Sequence, residues 1–164
     1  MTTGVTCDGR MKDHLKTKIY RTVIRPVALY GTECWPATKE VECRLSVMET
    51  KMLRWTAGIT RLDHILNDNI RKRFGVAAIQ KKMQENRLRW FGHVLRAEDN
   101  TLAKSAYTLE VAGMRAKGRP RQRCIDTVHN YLKVVRLHPD MTRGRIKWRQ
   151  RIHTADPATR RDKR

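Results

Sequence analysis

The chain has 164 residues, enough for one domain or for one compact domain with a basic extension. Its 36 Lys and Arg outnumber 16 Asp and Glu, and the net charge of +20 favours polyanions, with nucleic acid first and an anionic membrane surface a weaker option. No stretch approaches the ~20 apolar residues of a membrane span, and no signal peptide opens the sequence, which sets aside membrane-spanning and secretory classes.

The charge is uneven. Residues 1–58 and 59–112 each hold 10 basic and 6 acidic residues, whereas residues 113–164 hold 16 basic and 4 acidic. Composition therefore divides the chain at about residue 112, with a helical region before it and a basic loop, helices and tail after it. The plainer alternative for such a tail is a solvated surface that keeps the chain soluble.

Leu15, Ile19, Val23, Val27 and Tyr30 fit a first helix. Pro26 removes a backbone donor within it and should kink or break it. Cys34, Trp35 and Pro36 read as a turn. Val41, Leu45, Met48, Met52 and Trp55 are spaced 4, 3, 4 and 3 apart, an apolar stripe expected to face the core. Thr38 suits the cap of that helix and Gly58 its stop. Lys51 at the edge of the stripe and Arg54 outside it are expected to face solvent or a phosphate. A short helix is predicted over 69–74, capped by Asp68 or Asn67 and broken by Gly75.

The longest helix is predicted over 77–96. Ile79, Met83, Trp90 and Val94 share one face, widened by Phe91 and Leu95. Lys82, Glu85, Arg89, His93 and Arg96 make the opposite face mainly basic. Arg87 projects towards the apolar arc, where it should snorkel or pair with an acid. Residues 101–107 suit a helical turn, 108–111 a short strand, and 113–120 a loop. A further helix over 122–136 would bury Cys124, Val128, Tyr131, Leu132 and Val135 and end at His138-Pro139-Asp140. Thr142 can cap a last helix carrying Ile146, Trp148 and Ile152, before a charged tail. The fold class is mainly α: a small helical bundle with a basic loop and a basic C-terminal helical extension.

Little in the chain suggests chemistry. The four cysteines form no Cys-x-x-Cys pair and suggest reduced intracellular thiols; zinc and other cofactors are not expected. Two-metal polymerase chemistry needs clustered carboxylates, and no Asp-Asp pair exists. Pro139-Asp140 with Asp162-Lys163 has the wrong spacing for a restriction-type nuclease, since adjacent side chains on a strand point apart. The six histidines are scattered. Lys117-Gly118-Arg119-Pro120-Arg121 resembles an AT-hook, whose arginines read a narrow minor groove, or else is a flexible basic linker. Residues 70–76, followed by a new helix, read like the first half of a helix-turn-helix, although Ala77, Ala78 and Ile79 are poor base readers.

Residues 20–36 read Tyr-Arg-Thr-Val-Ile-Arg-Pro-Val-Ala-Leu-Tyr-Gly-Thr-Glu-Cys-Trp-Pro. That run resembles the segment just after the catalytic core in reverse transcriptases of non-LTR retrotransposons, the RTE type in particular. The likeness continues in the same order through Met52-Leu53-Arg54-Trp55, residues 84–94 (Gln-Glu-Asn-Arg-Leu-Arg-Trp-Phe-Gly-His-Val), Lys117-Gly118-Arg119-Pro120-Arg121 and Thr154-Ala155-Asp156-Pro157-Ala158-Thr159. Cys43 and Cys124 depart from the pattern, Cys124 standing in place of a bulky aromatic.

The resemblance implies the thumb and post-thumb region of a polymerase without its palm. It also implies no catalysis by this chain alone, an intracellular and nuclear setting, and two partners: nucleic acid, RNA or DNA, and the palm of a full-length parent. Phosphate contacts are expected from Lys51 and Arg54, from Arg71, Lys72 and Arg73, and from Lys82, Arg89 and Arg96. The loop residues Arg115, Lys117, Arg119, Arg121 and Arg123 and the last helix, with Arg145, Lys147, Arg149 and Arg151, complete the set. A sequence-specific DNA-binding module and an inert fragment are the competing expectations.

Overall fold

The computed structural model describes residues 11–35, 38–108, 118 and 124–157. The described residues are mainly α, with no strand among them. They belong to two compact units that interleave along the chain. Unit 1 takes Met1–Gly31, Lys39–Met83 and Thr154–Arg164; unit 2 takes Thr32–Thr38 and Gln84–His153. The division expected near residue 112 falls outside the described residues, and both of its flanks belong to unit 2.

Unit 1 begins with α1 (Asp13–Ile19), a π-helical turn over Tyr20–Ile24 and α2 (Arg25–Ala28). The expected break at Pro26 is absorbed by the wider turn before it. The Arg25 N–H reaches five residues back to the Tyr20 carbonyl, so the helical path continues although Pro26 has no N–H to give. α3 (Lys39–Ala57) starts directly after Thr38 and stops at Gly58, whose φ of +68° suits a residue without a Cβ. α4 (Asn67–Phe74) closes on Gly75 at φ +57°. There the Gly75 N–H bonds the Lys72 carbonyl (3.1 Å) and the Val76 N–H the Arg71 carbonyl (3.0 Å). No side chain caps the start of α4, so neither Asp68 nor Asn67 plays the part expected of it.

The apolar stripes of unit 1 do not form its core. Val23, Val27, Tyr30 and Trp55 are exposed, and Val41, Leu45, Met48 and Met52 are half-buried. The inward faces of α1, the π turn and α3 instead carry Lys16, Thr17, Tyr20, Glu49, Leu53 and Thr56. Lys16, Thr17, Tyr20 and Glu49 are buried because each finds a partner far along the chain, whereas the Thr56 hydroxyl donates to the Met52 carbonyl one turn back. Lys16 Nζ donates to the Thr56 carbonyl (3.1 Å), and Thr17 Oγ1 donates to the Phe74 carbonyl (3.1 Å). Tyr20 Oη donates to Glu49 Oε1 at 2.7 Å, and Arg71 Nε donates to Glu49 Oε2 at 2.9 Å. Burial first, then the charge of Glu49, raises the Tyr20 pKa, which keeps the hydroxyl a neutral donor. Around this network pack Leu53, Ile70, Phe74 and Val76. Tyr20→Phe should lower stability by about 1–2 kcal/mol in urea unfolding, since Glu49 then loses one of its two donors.

Asp156 ties the last stretch of unit 1 back to its first. Its carboxylate accepts from Arg25 Nη1 (2.7 Å) and Nη2 (2.9 Å), and from the Ala77 N–H (2.9 Å). Arg21 Nε lies 3.7 Å away. Burial alone would raise the Asp156 pKa, but the Arg25 bonds, the Ala77 N–H and both guanidinium charges outweigh it and hold the carboxyl below its ordinary value.

α5 (Ile79–Arg96) gives residues 79–83 to unit 1 and the remainder to unit 2. Unit 2 adds α6 (Leu102–Thr108), α7 (Cys124–Val135), a 3-10 turn over Pro139–Arg143 and α8 (Arg145–Ile152). Thr108 lies in α6, and residues 109–111 of the expected strand fall outside the described residues. Its core joins Leu88 and Phe91 of α5, Val128 and Leu132 of α7, Leu137, and Trp148 and Ile152 of α8. Thr142 is buried in the 3-10 turn and does not cap α8; Gly144 precedes that helix instead. Of the three apolar residues named for the last helix, Trp148 and Ile152 are buried and Ile146 is exposed.

Arg87 neither snorkels nor pairs with an acid. It is fully buried and donates through Nη2 to the Trp35 carbonyl, while Nε and Nη1 have no hydrogen-bond partner among the described residues.

Candidate nucleic-acid interface

The expected phosphate-contacting residues divide into those already engaged and those held open. In unit 1, Arg54 is spent on its own neighbourhood. It donates through Nη1 to the Thr60 carbonyl (3.1 Å) and through Nη2 to the Ile65 carbonyl and Asn67 Oδ1 (3.1 Å), which pins the chain between α3 and α4. Arg71 is equally committed, to Glu49, to Asp68 Oδ1 at 3.0 Å and to Ser46 Oγ at 3.2 Å. Arg73 pairs with Asp13 at 3.0 Å and lies over the Phe74 ring. Lys51 and Lys72 are exposed, and Lys82 is half-buried. Lys51 borders an apolar groove on α3 lined by Cys43, Val47, Met48, Met52 and Trp55. α4, Gly75 and α5 make the helix-turn-helix order read in the sequence, although Ile79 and Met83 are fully buried and Gln80 donates to the Glu42 carbonyl (3.0 Å).

Unit 2 gathers four arginines in one cleft of about 500 Å³. α5 supplies one face of it, with Asn86, Arg89, Trp90, His93 and Arg96 at helical spacing. α8 supplies Arg145, Trp148 and Arg149, and Glu33 completes the lining. The two helices meet this closely because residue 92 is glycine. A Cβ there would stand 2.5 Å from Trp148 Nε1 and 3.0 Å from its Cδ1. The buried indole lies against that gap and donates from Nε1 to the Leu88 carbonyl at 3.1 Å. Trp148 is therefore the floor of the cleft, and α8 lays its arginines beside it.

The cleft sets four arginines against one carboxylate, Glu33. Arg89 is held by Glu85, a buried carboxylate one turn earlier on α5. Arg96 donates through Nη1 to the Thr142 carbonyl at 2.7 Å. Burial first, then the like charges of Arg145 and Arg149, draws the Arg96 pKa below its ordinary value. Clustered cations of this kind raise one another's energy, and a bound anion relieves all of them together.

Lys147 and Arg151 of α8 are exposed and do not line the cleft; Arg151 Nη1 lies 3.6 Å from the Met141 sulfur. Arg115, Lys117, Arg119, Arg121 and Arg123 lie outside the described residues, where Gly118 alone of that loop is described, as exposed. Sequence reasoning put Trp90 on the apolar face of its helix and gave Asn86 and Glu33 no role in a site. The basic face was legible as Lys82, Glu85, Arg89, His93 and Arg96 at spacings of 3, 4, 4 and 3, but the partner helix that turns part of it into a cleft was not. Among the described residues, no three His, Cys, Asp or Glu side chains cluster to hold a metal ion, and no helix is long and apolar enough to cross a membrane.

Comparison with protein-family models, with curated proteins and with solved structures gives no match to this chain.

Proposed function

We propose that this chain binds nucleic acid, RNA or DNA, through phosphate contacts, as a non-catalytic thumb and post-thumb fragment of an RTE-type reverse transcriptase. The observation that carries the reading is the cleft of unit 2, where Arg89, Arg96, Arg145 and Arg149 converge on a chain of net charge +20. Guanidinium groups grip phosphate in a fork without reading sequence, so such a surface suits a template–primer of any sequence. The order of motifs from residue 20 to residue 159 supports the retrotransposon origin and, with it, a nuclear setting. The outward apolar residues of α3 are compatible with a larger polymerase in which a palm covers them. Arg54 and Arg71 then act in this reading as braces of unit 1 rather than as phosphate contacts.

The test is a titration of the purified chain against an RNA hairpin, single-stranded DNA and duplex DNA at low and physiological salt. Comparable binding to all three, falling steeply with salt, is the expected result. A duplex preference that survives physiological salt and is lost in Arg119→Gln would favour a sequence-specific module using the hook-like loop. Absence of binding at low salt would leave an inert fragment.

A further inference from the structure

We infer that the arginine cleft of unit 2 receives one unpaired nucleotide of a single strand, with a phosphate among Arg96, Arg145 and Arg149 and the base against Trp90. The inference rests on the phosphate-gripping reading and narrows it to one site and one kind of ligand. Size and concavity are the first ground. At about 500 Å³ the cleft lies within the ~300–1,000 Å³ range of small-ligand pockets. A duplex is a convex rod with its bases stacked inside, so its phosphates can touch only the rim of such a cleft. An unpaired nucleotide offers a phosphate and an open base face together.

Charge is the second ground. Arg145 and Arg149 are exposed, project from α8 one turn apart, and make no ion pair with an acid among the described residues. Arg96 commits Nη1 to the Thr142 carbonyl, which fixes the position of its guanidinium beside theirs. Three guanidinium groups that already repel one another form an anion site before any ligand arrives. Arg89, anchored by Glu85, holds the rim.

The aromatic lining is the third ground. Trp148 is fully buried and tied to the Leu88 carbonyl, so it shapes the floor and cannot stack. Trp90 is half-buried: part of the indole packs on the core cluster of unit 2, and the part left open borders the cleft. An indole positioned beside guanidinium groups is the usual platform for an unpaired base. Asn86, one turn before Trp90, adds an amide that can both donate to and accept from a base edge.

The experiment uses the whole chain and tryptophan fluorescence at physiological salt. Its probes are trithymidylate with a 5′ phosphate, trithymidylate without one, inorganic phosphate, and a blunt DNA duplex. The expected result is saturable quenching by the trinucleotides. An Arg145→Gln, Arg149→Gln double variant should lose about tenfold or more for trinucleotide, with a much smaller loss for duplex. Trp90→Leu, which keeps an apolar side chain on the core but removes the reporting indole, is read by the anisotropy of a dye-labelled trinucleotide and should lose about tenfold while its thermal unfolding stays cooperative. Lys133→Gln on α7, exposed and not part of the cleft lining, serves as the charge control. A preference for the 5′-phosphorylated probe assigns the phosphate to a strand end, and equal binding assigns it to an internal linkage; both support the site. Equal losses for trinucleotide and duplex in the arginine variant would overturn it and leave the phosphate-gripping reading standing. Inorganic phosphate binding as tightly as trinucleotide would also overturn it, as a simple anion site. Absence of binding to any nucleic acid would remove both readings at once.

Discussion

Asp156→Ala is expected to lower the stability of the chain by about 3 kcal/mol, a fall of roughly 6–12 °C in the unfolding midpoint. The carboxylate is mostly buried, at 18% side-chain exposure, and so is Arg25, at 13%. Removing the acid leaves Arg25 without its two carboxylate bonds and the Ala77 N–H without its acceptor, and an uncompensated buried charge is more harmful than the pair was helpful. The same contacts predict a pH dependence. The bonds exist only while Asp156 is ionised, and its pKa in the folded chain lies below the ordinary value. Its contribution is therefore complete above the unfolded pKa of about 3.9 and is lost as the pH falls from there through the lower folded value. Urea unfolding of the native chain and of Asp156→Ala, compared at neutral pH and at about pH 3, should show the gap between them narrowing in acid. A gap that stays constant would mean that Asp156 acts by packing alone.

Gly92→Ala is expected to destabilise unit 2 and to blunt the cleft, although alanine is the better helix former. Alanine in place of glycine inside a helix contributes about 1 kcal/mol. Against it stands a Cβ 2.5 Å from Trp148 Nε1, closer than such atoms approach. Relieving that clash moves a buried indole or bends α5, at a cost of about 1–3 kcal/mol, and breaking the Trp148 bond to the Leu88 carbonyl adds about 1 kcal/mol more. The steric terms win by about 1–3 kcal/mol. Because Arg145 and Arg149 lie on the helix that carries Trp148, the variant should also bind nucleic acid more weakly, with a shallower salt dependence. Thermal unfolding and the same oligonucleotide titration check both effects. A stabilised variant with unchanged binding would show that α8 can retreat without consequence.

Much of the helical framework was legible in the sequence, and the reason is local. Glycine stops and apolar spacing depend on near neighbours, so α3, α5 and α7 fall close to where periodicity puts them. The faces were less legible. Spacing says which residues share a side of a helix and not which side is buried. In unit 1 the buried side is chosen by polar partners such as Glu49 for Tyr20, 29 residues away, and Phe74 for Thr17, 57 residues away. For the cleft, the basic character of α5 and α8 could be read from the order of residues. Their convergence could not, because it depends on a single missing Cβ at residue 92.

The interleaved course of unit 1 bears on how the chain is made. Asp156 leaves the ribosome 79 residues after Ala77, the amide it must meet, which is about 4–16 s later at ordinary rates of synthesis. All of unit 2 is translated in that interval or before it, with α8 only just ahead of Asp156. Nascent chains would thus carry Arg25 and the Ala77 amide unpaired until the final stretch emerges. A chain cut before residue 156 would keep every stretch of unit 2 and lose the clasp of unit 1.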